Sequence, residues 1–286
     1  MTLRRRLADT ELTAVGLGAM PLSLAGAPEP ATAIDVIHRF IDAGGDFIDS
    51  ANVYSSTAAP GDNERLIARA LSQHPQGRRV HVATKGGVQW TGRGWRANGR
   101  PQALRQACEQ SLRDLDVERI FLYQLHAPDP DVDISESVGV LRDLQAAGRI
   151  AHIGLSNIDD AQLARAAEVT SIASVQNGLH PRRKQSLADG VVTRCREHGI
   201  AFIAHSPVGG YHDHARLADD KELRQLAQRY VTSVANLAIA WLLQLDEHMF
   251  VIAGARRVAS VLASQRAMEL ALDADVMRSI NRLVDW

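Results

Sequence analysis

The sequence predicts an α/β fold: a (β/α)8 TIM barrel with a short N-terminal β-hairpin capping the barrel bottom. Three observations predict it. Short β-rich runs alternate with amphipathic stretches of helical period, eight such runs occur, and no Pro/Gly-rich linker divides them. Parallel strands joined by crossover helices show this alternation, and eight uninterrupted units indicate a closed barrel. We therefore expect a single domain over residues 1–286.

The predicted strands are short runs rich in Val, Ile, Leu, Phe and Ala. In chain order they are VGLGA (15–19), DFID (46–49), VHVAT (80–84), IFLYQL (120–125), IAHIGL (150–155), SIASV (171–175), IAFIA (200–204) and MFVIAG (249–254).

Helices are predicted between these strands. Residues 31–44 repeat apolar side chains at three- and four-residue steps, and Gly44 supplies a stop signal. Ahead of the first strand, residues 3–15 (LRRRLADTELTAV) are predicted to form the hairpin at the barrel bottom.

A doubly wound sheet is the main alternative fold, but its nucleotide-binding signatures are missing. The nearest match to the dinucleotide fingerprint, residues 16–21, has Pro21 where the third glycine should stand, and no GxxxxGK[ST] motif occurs.

The composition is that of an ordinary globular protein and points to no charged macromolecular partner. The chain is 45% hydrophobic and 23% charged, with 32 Lys and Arg against 33 Asp and Glu. This balance gives no field that would steer the protein to nucleic acid or to an anionic membrane. We expect a small-molecule partner, and a monomer or weak homo-oligomer.

The sequence also favours a cytoplasmic location. Cys108 and Cys195 lie far apart without a CxxC motif, so we expect neither a disulfide framework nor a zinc site, only inert core thiols. The basic start at residues 4–6 lacks a following apolar region, and the longest apolar helical stretch, 237–245, is too short for a membrane span.

The polar residues that follow the predicted strands are candidates for a site, because the C-terminal ends of barrel strands meet at one rim. They are Asp49, Lys85, His126, Ser156, Asn157, Gln176, His205 and Ser206.

Four ionisable residues in this region fit one kind of chemistry. A tyrosine phenol is a poor proton donor unless its conjugate base is stabilised, and a lysine ammonium such as Lys85 can do this for Tyr54. Asp49 can keep that ammonium charged, and His126 can hydrogen-bond the same carbonyl oxygen. The set suits proton transfer to a carbonyl being reduced. It needs a hydride from a nicotinamide or flavin cofactor.

Over nearly its whole length the sequence resembles the aldo-keto reductases, in a compact bacterial-type form. The resemblance is carried by motifs in the family's order: GLGAM (16–20), DSANVY (49–54), GDNERLIARAL (61–71), VATKGG (82–87), SLRDLDVERIFLYQLHAPDP (111–130), GRIAHIGLSN (148–157), VQN (175–177), HSPVGG (205–210) and AGARR (253–257).

The resemblance implies a catalytic tetrad of Asp49, Tyr54, Lys85 and His126, with Tyr54 as general acid. It also implies NADP(H) as cofactor, with NAD(H) not excluded. In the implied complex the cofactor carboxamide is bound by Ser156, Asn157 and Gln176, and the nicotinamide ring stacks on His205. The pyrophosphate is surrounded by the 206–210 loop, and the 2′-phosphate is recognised by Arg256 and Arg257. The full implied cofactor set is Gly18, Ala19, Met20, Asp49, Ser156, Asn157, Gln176, His205, Ser206, Pro207, Val208, Gly209, Gly210, Ile252, Gly254, Ala255, Arg256, Arg257 and Ser264.

Departures from the family pattern lie mainly on the cofactor side. His205 replaces the usual aromatic residue, and we expect it to make cofactor affinity depend on pH at about 6 to 7. Ala263 and Ser264 replace the Glu-Asn pair that contacts adenine, and Ser260 replaces a basic residue, so the choice between NADP and NAD stays open.

Two aromatic residues and a histidine pair allow alternative interpretations. Trp90 and Trp95, in the glycine-rich loop after Lys85, are either exposed turn residues or, together with Met20, part of the substrate pocket. The HxH pair at His212 and His214 lacks a recognisable third ligand, and we predict no metal site there.

The predicted function is NAD(P)H-dependent reduction of an aldehyde or ketone to an alcohol. Two alternatives stay open: a cofactor-sensing regulatory subunit with little turnover, and a lyase that forms a Schiff base on Lys85.

Overall fold

The computed structural model describes residues 2–56 and 60–286, apart from the side chain of His212. In these residues eight parallel strands close into a barrel surrounded by helices, which confirms the predicted fold class. The strands are β1 (Arg4–Leu7), β2 (Thr10–Thr13), β3 (Val15–Gly18), β4 (Phe47–Asp49), β5 (His81–Gly86), β6 (Val88–Trp90), β7 (Trp95–Ala97), β8 (Ile120–Leu125), β9 (Ile150–Ser156), β10 (Ser174–Gly178), β11 (Ala201–His205) and β12 (Met249–Gly254).

The barrel follows chain order from β3 through β4, β5, β8, β9, β10 and β11 to β12, which pairs back to β3. The helices between and after these strands are α1 (Pro30–Asp42), α2 (Asp62–Gln73), α3 (Pro101–Leu115), α4 (Ile134–Ala146), α5 (Asp160–Val169), α6 (Gln185–Ala188), α7 (Val191–Glu197), α8 (Gly210–Ala218), α9 (Lys221–Gln228), α10 (Val234–Leu245), α11 (Val258–Arg266) and α12 (Ala274–Arg282). No helix within residues 2–56 and 60–286 is long and apolar enough to cross a membrane.

Helix α1 shows how the sequence pattern produces these elements. Pro30 occupies its first turn, where the missing N–H costs nothing, and the apolar residues of the pattern are buried on one face. The helix ends at Asp42, and Gly44 adopts a φ of 89°, as expected for a C-terminal stop.

The hairpin of β1 and β2 closes the bottom of the barrel, as predicted. Leu7 and Leu12 are fully buried and join the apolar cluster that fills the barrel interior. The Arg5 guanidinium donates to backbone carbonyls at the start of β12, including Met249 O, and Thr13 N donates to Asp46, directly before β4. These contacts place the hairpin at the N-terminal ends of the strands.

The interior changes from apolar to polar toward the opposite end, which we call the barrel mouth. Side chains two residues apart on a strand share a face, so Phe47 and Asp49 both point inward. The same step leads from Ala83 to Lys85 and from Leu122 to Gln124. An apolar layer therefore lies beneath a layer of polar groups.

The predicted strand at 171–175 is displaced: β10 spans Ser174–Gly178. Pairing with both neighbours starts at Ser174, opposite Gly154 and Ala201. The strand continues through two polar residues because both have partners: Gln176 bonds Asp49 and Asn177 bonds Ile158. Similarly, Lys85 and Ser156 lie within their strands and not after them.

Candidate active site

An Asp–Lys pair lies at the centre of the barrel mouth. The Lys85 ammonium donates to Asp49 Oδ2 at 2.6 Å and to Ser50 O at 2.8 Å, and both side chains are almost fully buried. Burial acts to lower the pKa of Lys85, but the charge of Asp49 and then Tyr54 outweigh it, so the net shift is upward. Lys85 therefore stays a charged ammonium at neutral pH.

Two glutamines hold the other oxygen of the Asp49 carboxylate. Gln176 Nε2 donates to Asp49 Oδ1 at 2.7 Å and Gln124 Nε2 donates to it at 3.1 Å. Gln176 Nε2 also lies 3.2 Å from Gln124 Oε1. Since an ionised carboxylate only accepts, it fixes the orientation of both amides. Gln176 Oε1 is left as an acceptor without a partner among the described residues.

Tyr54 is brought to this pair by the loop after β4. Lys85 Nζ lies 3.4 Å from the Tyr54 hydroxyl and 5.2 Å from the centre of its ring. Burial raises the pKa of Tyr54 above its ordinary value; Lys85 opposes the rise and Asp49 adds to it. The ammonium therefore does not bring this phenol below its usual pKa, and Tyr54 is protonated at neutral pH.

The Tyr54 backbone is held by a network that involves the loop after β3. Asn63 N and Ser23 Oγ both donate to Tyr54 O, and Asn63 Nδ2 donates to Ala19 O at 2.8 Å. Ala19 N in turn donates to Asp49 O. Three predicted cofactor residues, Gly18 at the end of β3, Ala19 and Met20, thus adjoin the loop that carries Tyr54.

His126 faces Tyr54 across the mouth. The two ring centres are 5.8 Å apart with the planes at 84°. Burial, then the charge of Lys85 and then His205, lower the pKa of His126 well below its ordinary 6.5. His126 is therefore a neutral ring, and its Nδ1 is buried without a partner among the described residues. The structure brings all four members of the implied tetrad together.

Asn157 and His205 continue the rim. Asn157 Nδ2 donates to His126 O at 3.0 Å and to Ser156 Oγ at 3.1 Å, so Asn157 Oδ1 faces His205 Nε2, also at 3.1 Å. Burial, followed by the charges of Lys85, Arg183 and His180, lowers the pKa of His205 to about 3. The expected titration at a pH of about 6 to 7 is therefore wrong: His205 is neutral there because it is partly buried and lies near the positive charges of Lys85 and Arg183.

The segment after β11 is only partly the predicted loop. Residues 206–209 form a turn closed by Gly209 N donating to Ser206 O, whereas Gly210 is already the first residue of α8. Ser206 and Asn157 both have positive φ, 54° and 57°, which is uncommon for residues other than glycine. Pro207 and Val208 lie in the turn, and Val208 packs against the core.

The predicted cofactor residues after β12 have different environments. Ile252 belongs to the apolar interior, and Gly254 pairs with Gly18 in the sheet, followed by buried Ala255. Arg256 Nη2 donates to Ala25 O at 3.1 Å, and its guanidinium lies 5.9 Å from the Tyr211 ring centre.

Arg257 directly precedes the next helix, α11, and Ser264 lies within it. Arg257 is exposed at the start of α11 and has no side-chain partner among the described residues. The Ser264 hydroxyl donates to Ser260 O one turn back in the same helix, at 3.0 Å.

The glycine-rich loop after Lys85 folds into a small hairpin. Strands β6 and β7 place Trp90 opposite Trp95, with ring centres 5.1 Å apart, and Thr91 N closes the turn onto Gly94 O. The Trp–Trp pair stabilises the hairpin across the strands. Both tryptophans are about half exposed, at 46% and 49%.

Three residues at the mouth are not among those predicted from the sequence: Asn63, Gln124 and Arg183. Gln124 could have been predicted to face the barrel interior, because it lies two residues after inward-facing Leu122 and two before His126. Asn63 lies within the quoted motif 61–71, but its contacts with Ala19, Ser23 and Tyr54 come from other segments and are not visible in the sequence. Arg183 had no signal. In the HxH pair, His214 Nδ1 lies 3.1 Å from Val208 O, and the side chain of His212 is outside the described residues.

Comparison with known proteins adds independent findings. Residues 14–285 match the model of the aldo/keto reductase family. A probable aldo-keto reductase of Glycine max is 30% identical over 303 residues, 94% of this chain and 85% of that protein. Among solved structures, the glycerol dehydrogenase of Gluconobacter oxydans aligns with a TM-score of 0.84 at 27% identity, covering 98% of this chain and 94% of the other. An aldo-keto reductase of Klebsiella pneumoniae in complex with NADPH aligns with a TM-score of 0.81 at 22% identity, over 99% and 95%.

Proposed function

We propose, since this chain belongs to the aldo/keto reductase family, that it reduces an aldehyde or ketone to the alcohol with a reduced nicotinamide cofactor, and that Tyr54 donates the proton. One observation carries the proposal: the Lys85 ammonium lies 3.4 Å from the Tyr54 hydroxyl while Asp49 holds it at 2.6 Å. This arrangement stabilises negative charge on the phenol oxygen as its proton leaves.

The residues of the mouth have different roles in proton transfer. Tyr54 is protonated at neutral pH because burial raises its pKa, so the proton to be donated is present. Lys85 stabilises the phenolate that forms, and Asp49 keeps Lys85 charged. His126 is neutral and can donate one N–H to the carbonyl oxygen, which would orient it toward Tyr54.

The polar groups of the mouth fit a nicotinamide, which when bound supplies the hydride. Gln176 Oε1 has no partner among the described residues and can accept from a carboxamide N–H, while Ser156 ends the neighbouring strand β9 and Asn157 follows it. The neutral ring of His205 is available for stacking. Gly18 to Met20 and the 206–210 segment flank the same opening.

The preferred cofactor is proposed to be NADP(H). Arg257 is an exposed cation without a side-chain partner among the described residues, next to Arg256, and the Klebsiella pneumoniae relative was solved with NADPH. Ser264 donates its hydroxyl hydrogen to Ser260 O in its own helix, so that hydrogen is not available for a 2′-phosphate. NAD(H) is therefore the alternative cofactor. The ratio of the dissociation constants for NADPH and NADH measures this preference.

The test is Tyr54→Phe. It removes only the hydroxyl, so we expect turnover of any aldehyde to fall roughly a hundredfold or more, with NADPH affinity within a few-fold of wild type. Tyr230→Phe is the matched control, because Tyr230 hydrogen-bonds Asp273 away from the mouth. Steady-state rates and fluorescence titration of NADPH measure both effects, and retained turnover in Tyr54→Phe would refute the role.

The same geometry bears on the two alternatives. A Schiff-base lysine needs a lowered pKa so that its amine is free, whereas Lys85 has a raised pKa and three hydrogen-bond partners. A regulatory subunit would bind cofactor without turnover, and a panel of aldehydes with NADPH separates that function from a reductase. A single domain over 1–286, a cytoplasmic location and a monomer or weak homo-oligomer stay predictions.

A further inference from the structure

Arg183 is a cation without a counter-ion in a segment where its neighbours are paired. Arg182 donates to Asp220 at 2.8 Å and to Glu222, and Lys184 Nζ lies 3.7 Å from Asp285. The Arg183 side chain has no hydrogen bond or ion pair among the described residues. Its backbone, by contrast, is fixed by two hydrogen bonds with His180, at 2.9 and 3.1 Å.

The Arg183 guanidinium borders the barrel mouth, although the residue as a whole is exposed. Gly178 is two residues beyond Gln176 on the same face of β10, so its α-carbon faces the interior above Gln176. A β-carbon built on Gly178 would be 3.0 Å from Arg183 Cζ and 3.1 Å from His205 Cε1. The guanidinium thus fills the space that a side chain at 178 would occupy, beside the His205 ring.

Among the described residues no carboxylate forms an ion pair with Arg183, although Asp213 and Asp285 act to raise the pKa of neighbouring His180. After burial, the groups that lower the pKa of His205 are Lys85, Arg183 and His180, and none of the groups that shift it is a carboxylate. Lys85 is neutralised by Asp49, and Arg183 is not. The mouth therefore carries local positive charge on a protein whose net charge is −1, and a cleft lined by one sign of charge concentrates the opposite ion.

We infer that Arg183 binds an anionic group, a carboxylate or a phosphate, of the molecule held in the mouth. A guanidinium presents paired N–H groups that match both anions. The inference rests on the proposed function and deepens it: the anion belongs to a carbonyl substrate that carries a carboxylate or phosphate, or to a phosphate of the cofactor. The experiment separates these two sources.

Three variants make the test specific. Arg183→Met removes the charge, Arg183→Lys keeps the charge without the planar fork, and Lys184→Met removes a neighbouring cation whose partner is outside the mouth. The substrates are 4-carboxybenzaldehyde and its methyl ester, which are similar in shape but differ in charge. The measurements are kcat/KM for each aldehyde with NADPH, the dissociation constants of NADPH and NADP⁺ by fluorescence, and urea midpoints to verify folding.

If the substrate supplies the anion, Arg183→Met lowers the acid-to-ester ratio of kcat/KM roughly tenfold or more, Arg183→Lys restores part of it, and Lys184→Met leaves it unchanged. If the cofactor supplies the anion, Arg183→Met weakens NADPH and NADP⁺ binding by a similar factor and leaves the ratio alone.

The inference would be overturned, and the proposed function would stand, if Arg183→Met kept normal turnover and changed neither the acid-to-ester ratio nor the cofactor affinities by more than about twofold. A wild-type protein that neither binds NADPH nor reduces either aldehyde would overturn the proposed function as well.

Discussion

Asp49 is the residue on which the buried polar groups of the mouth converge. Lys85 binds one carboxylate oxygen, and Gln124 and Gln176 bind the other. Gln124 is fully buried, and glycine at position 154 makes room for it: a β-carbon there would lie 2.8 Å from Gln124 Cγ. Gln124 therefore positions the carboxylate that sets the electrostatics of Lys85 and Tyr54.

Replacing Gln124 should change the pH dependence of alcohol oxidation. This direction needs the Tyr54 phenolate, so the rate rises with pH through the pKa of Tyr54. Gln124→Met removes N–H dipoles whose positive ends face Asp49, which makes the surroundings more negative and raises that pKa further. We expect the midpoint of the pH–kcat curve to move up by roughly half a pH unit.

The direction of the shift separates an electrostatic role from a packing role. Gln124→Glu, which adds a charge, should move the midpoint further up than Gln124→Met. Leu122→Met, a similar volume change on the same inward face, should leave it in place. An unshifted midpoint in both Gln124 variants would contradict the role.

At this scale the sequence predicted the residues whose chemistry is visible in isolation. Asp49, Lys85 and His126 lie at or near the ends of apolar runs, Tyr54 belongs to the family motif at 49–54, and the structure brings the four together. Gln124 lies in the apolar run at 120–125, and a single amide hardly changes the pattern of such a run. Its function depends on Asp49 and Gln176, from strands far away in the sequence.

At the scale of elements, Glu64 joins α2 to the strand that carries Lys85. The Glu64 carboxyl is fully buried and accepts from Thr84 Oγ1 at 2.6 Å, next to Lys85 on β5. Burial raises its pKa to about 7, while hydrogen bonds from Thr84 and charges of Asp114 and Arg65 make smaller contributions. The link between helix and strand therefore contains a carboxyl group that is protonated at mildly acidic pH.

The free energy of unfolding should accordingly fall as pH rises. Because the folded pKa is above the ordinary 4.5, the stabilisation is fully present below pH 4.5 and is lost as pH rises through about 7. The full loss is roughly 3 kcal/mol. Glu64→Gln stays neutral, so urea denaturation from pH 5 to 8 should show less decline than wild type; parallel curves would argue against the raised pKa.

Some strands could not be predicted from the hydrophobic pattern of the sequence. The apolar residues at 171–175 predict a strand there, but the observed pairing begins at Ser174 and continues through Gln176 and Asn177. Polar residues continue a strand when their side chains have buried partners, and such partners are not visible in one sequence. The β6–β7 hairpin is not predicted from the sequence for a similar reason: the Trp90–Trp95 contact stabilises it in a stretch rich in glycine.

For the whole molecule, the N-terminal hairpin is part of the barrel core. Leu12 is fully buried in the apolar interior, so Leu12→Ala should lower the free energy of unfolding by about 2–5 kcal/mol. Val117→Ala is the control, because Val117 is 42% exposed and should change stability by less than about 1 kcal/mol. Urea unfolding measures both, and equal effects would mean that the hairpin packs independently of the barrel.

The barrel as a whole was predictable because its signal is repeated along the chain. Eight alternations of strand and helix, in the order of the family's motifs, leave few other topologies. The position of Arg183 over Gly178 was not predictable, since it depends on the path of the chain between β10 and α6. Global architecture is encoded redundantly, whereas single contacts at the mouth are not.

The buried network of Asp49, Lys85, Gln124 and Gln176 has a further consequence for the energetics of ligand arrival. Its side chains are already fixed by one another and by the strands, so their conformational entropy is lost once, when the chain folds. An arriving molecule meets dipoles that are already oriented, and little reorganisation is needed. The free energy of ordering these groups is thus part of the stability of the protein and is not repeated with each molecule bound.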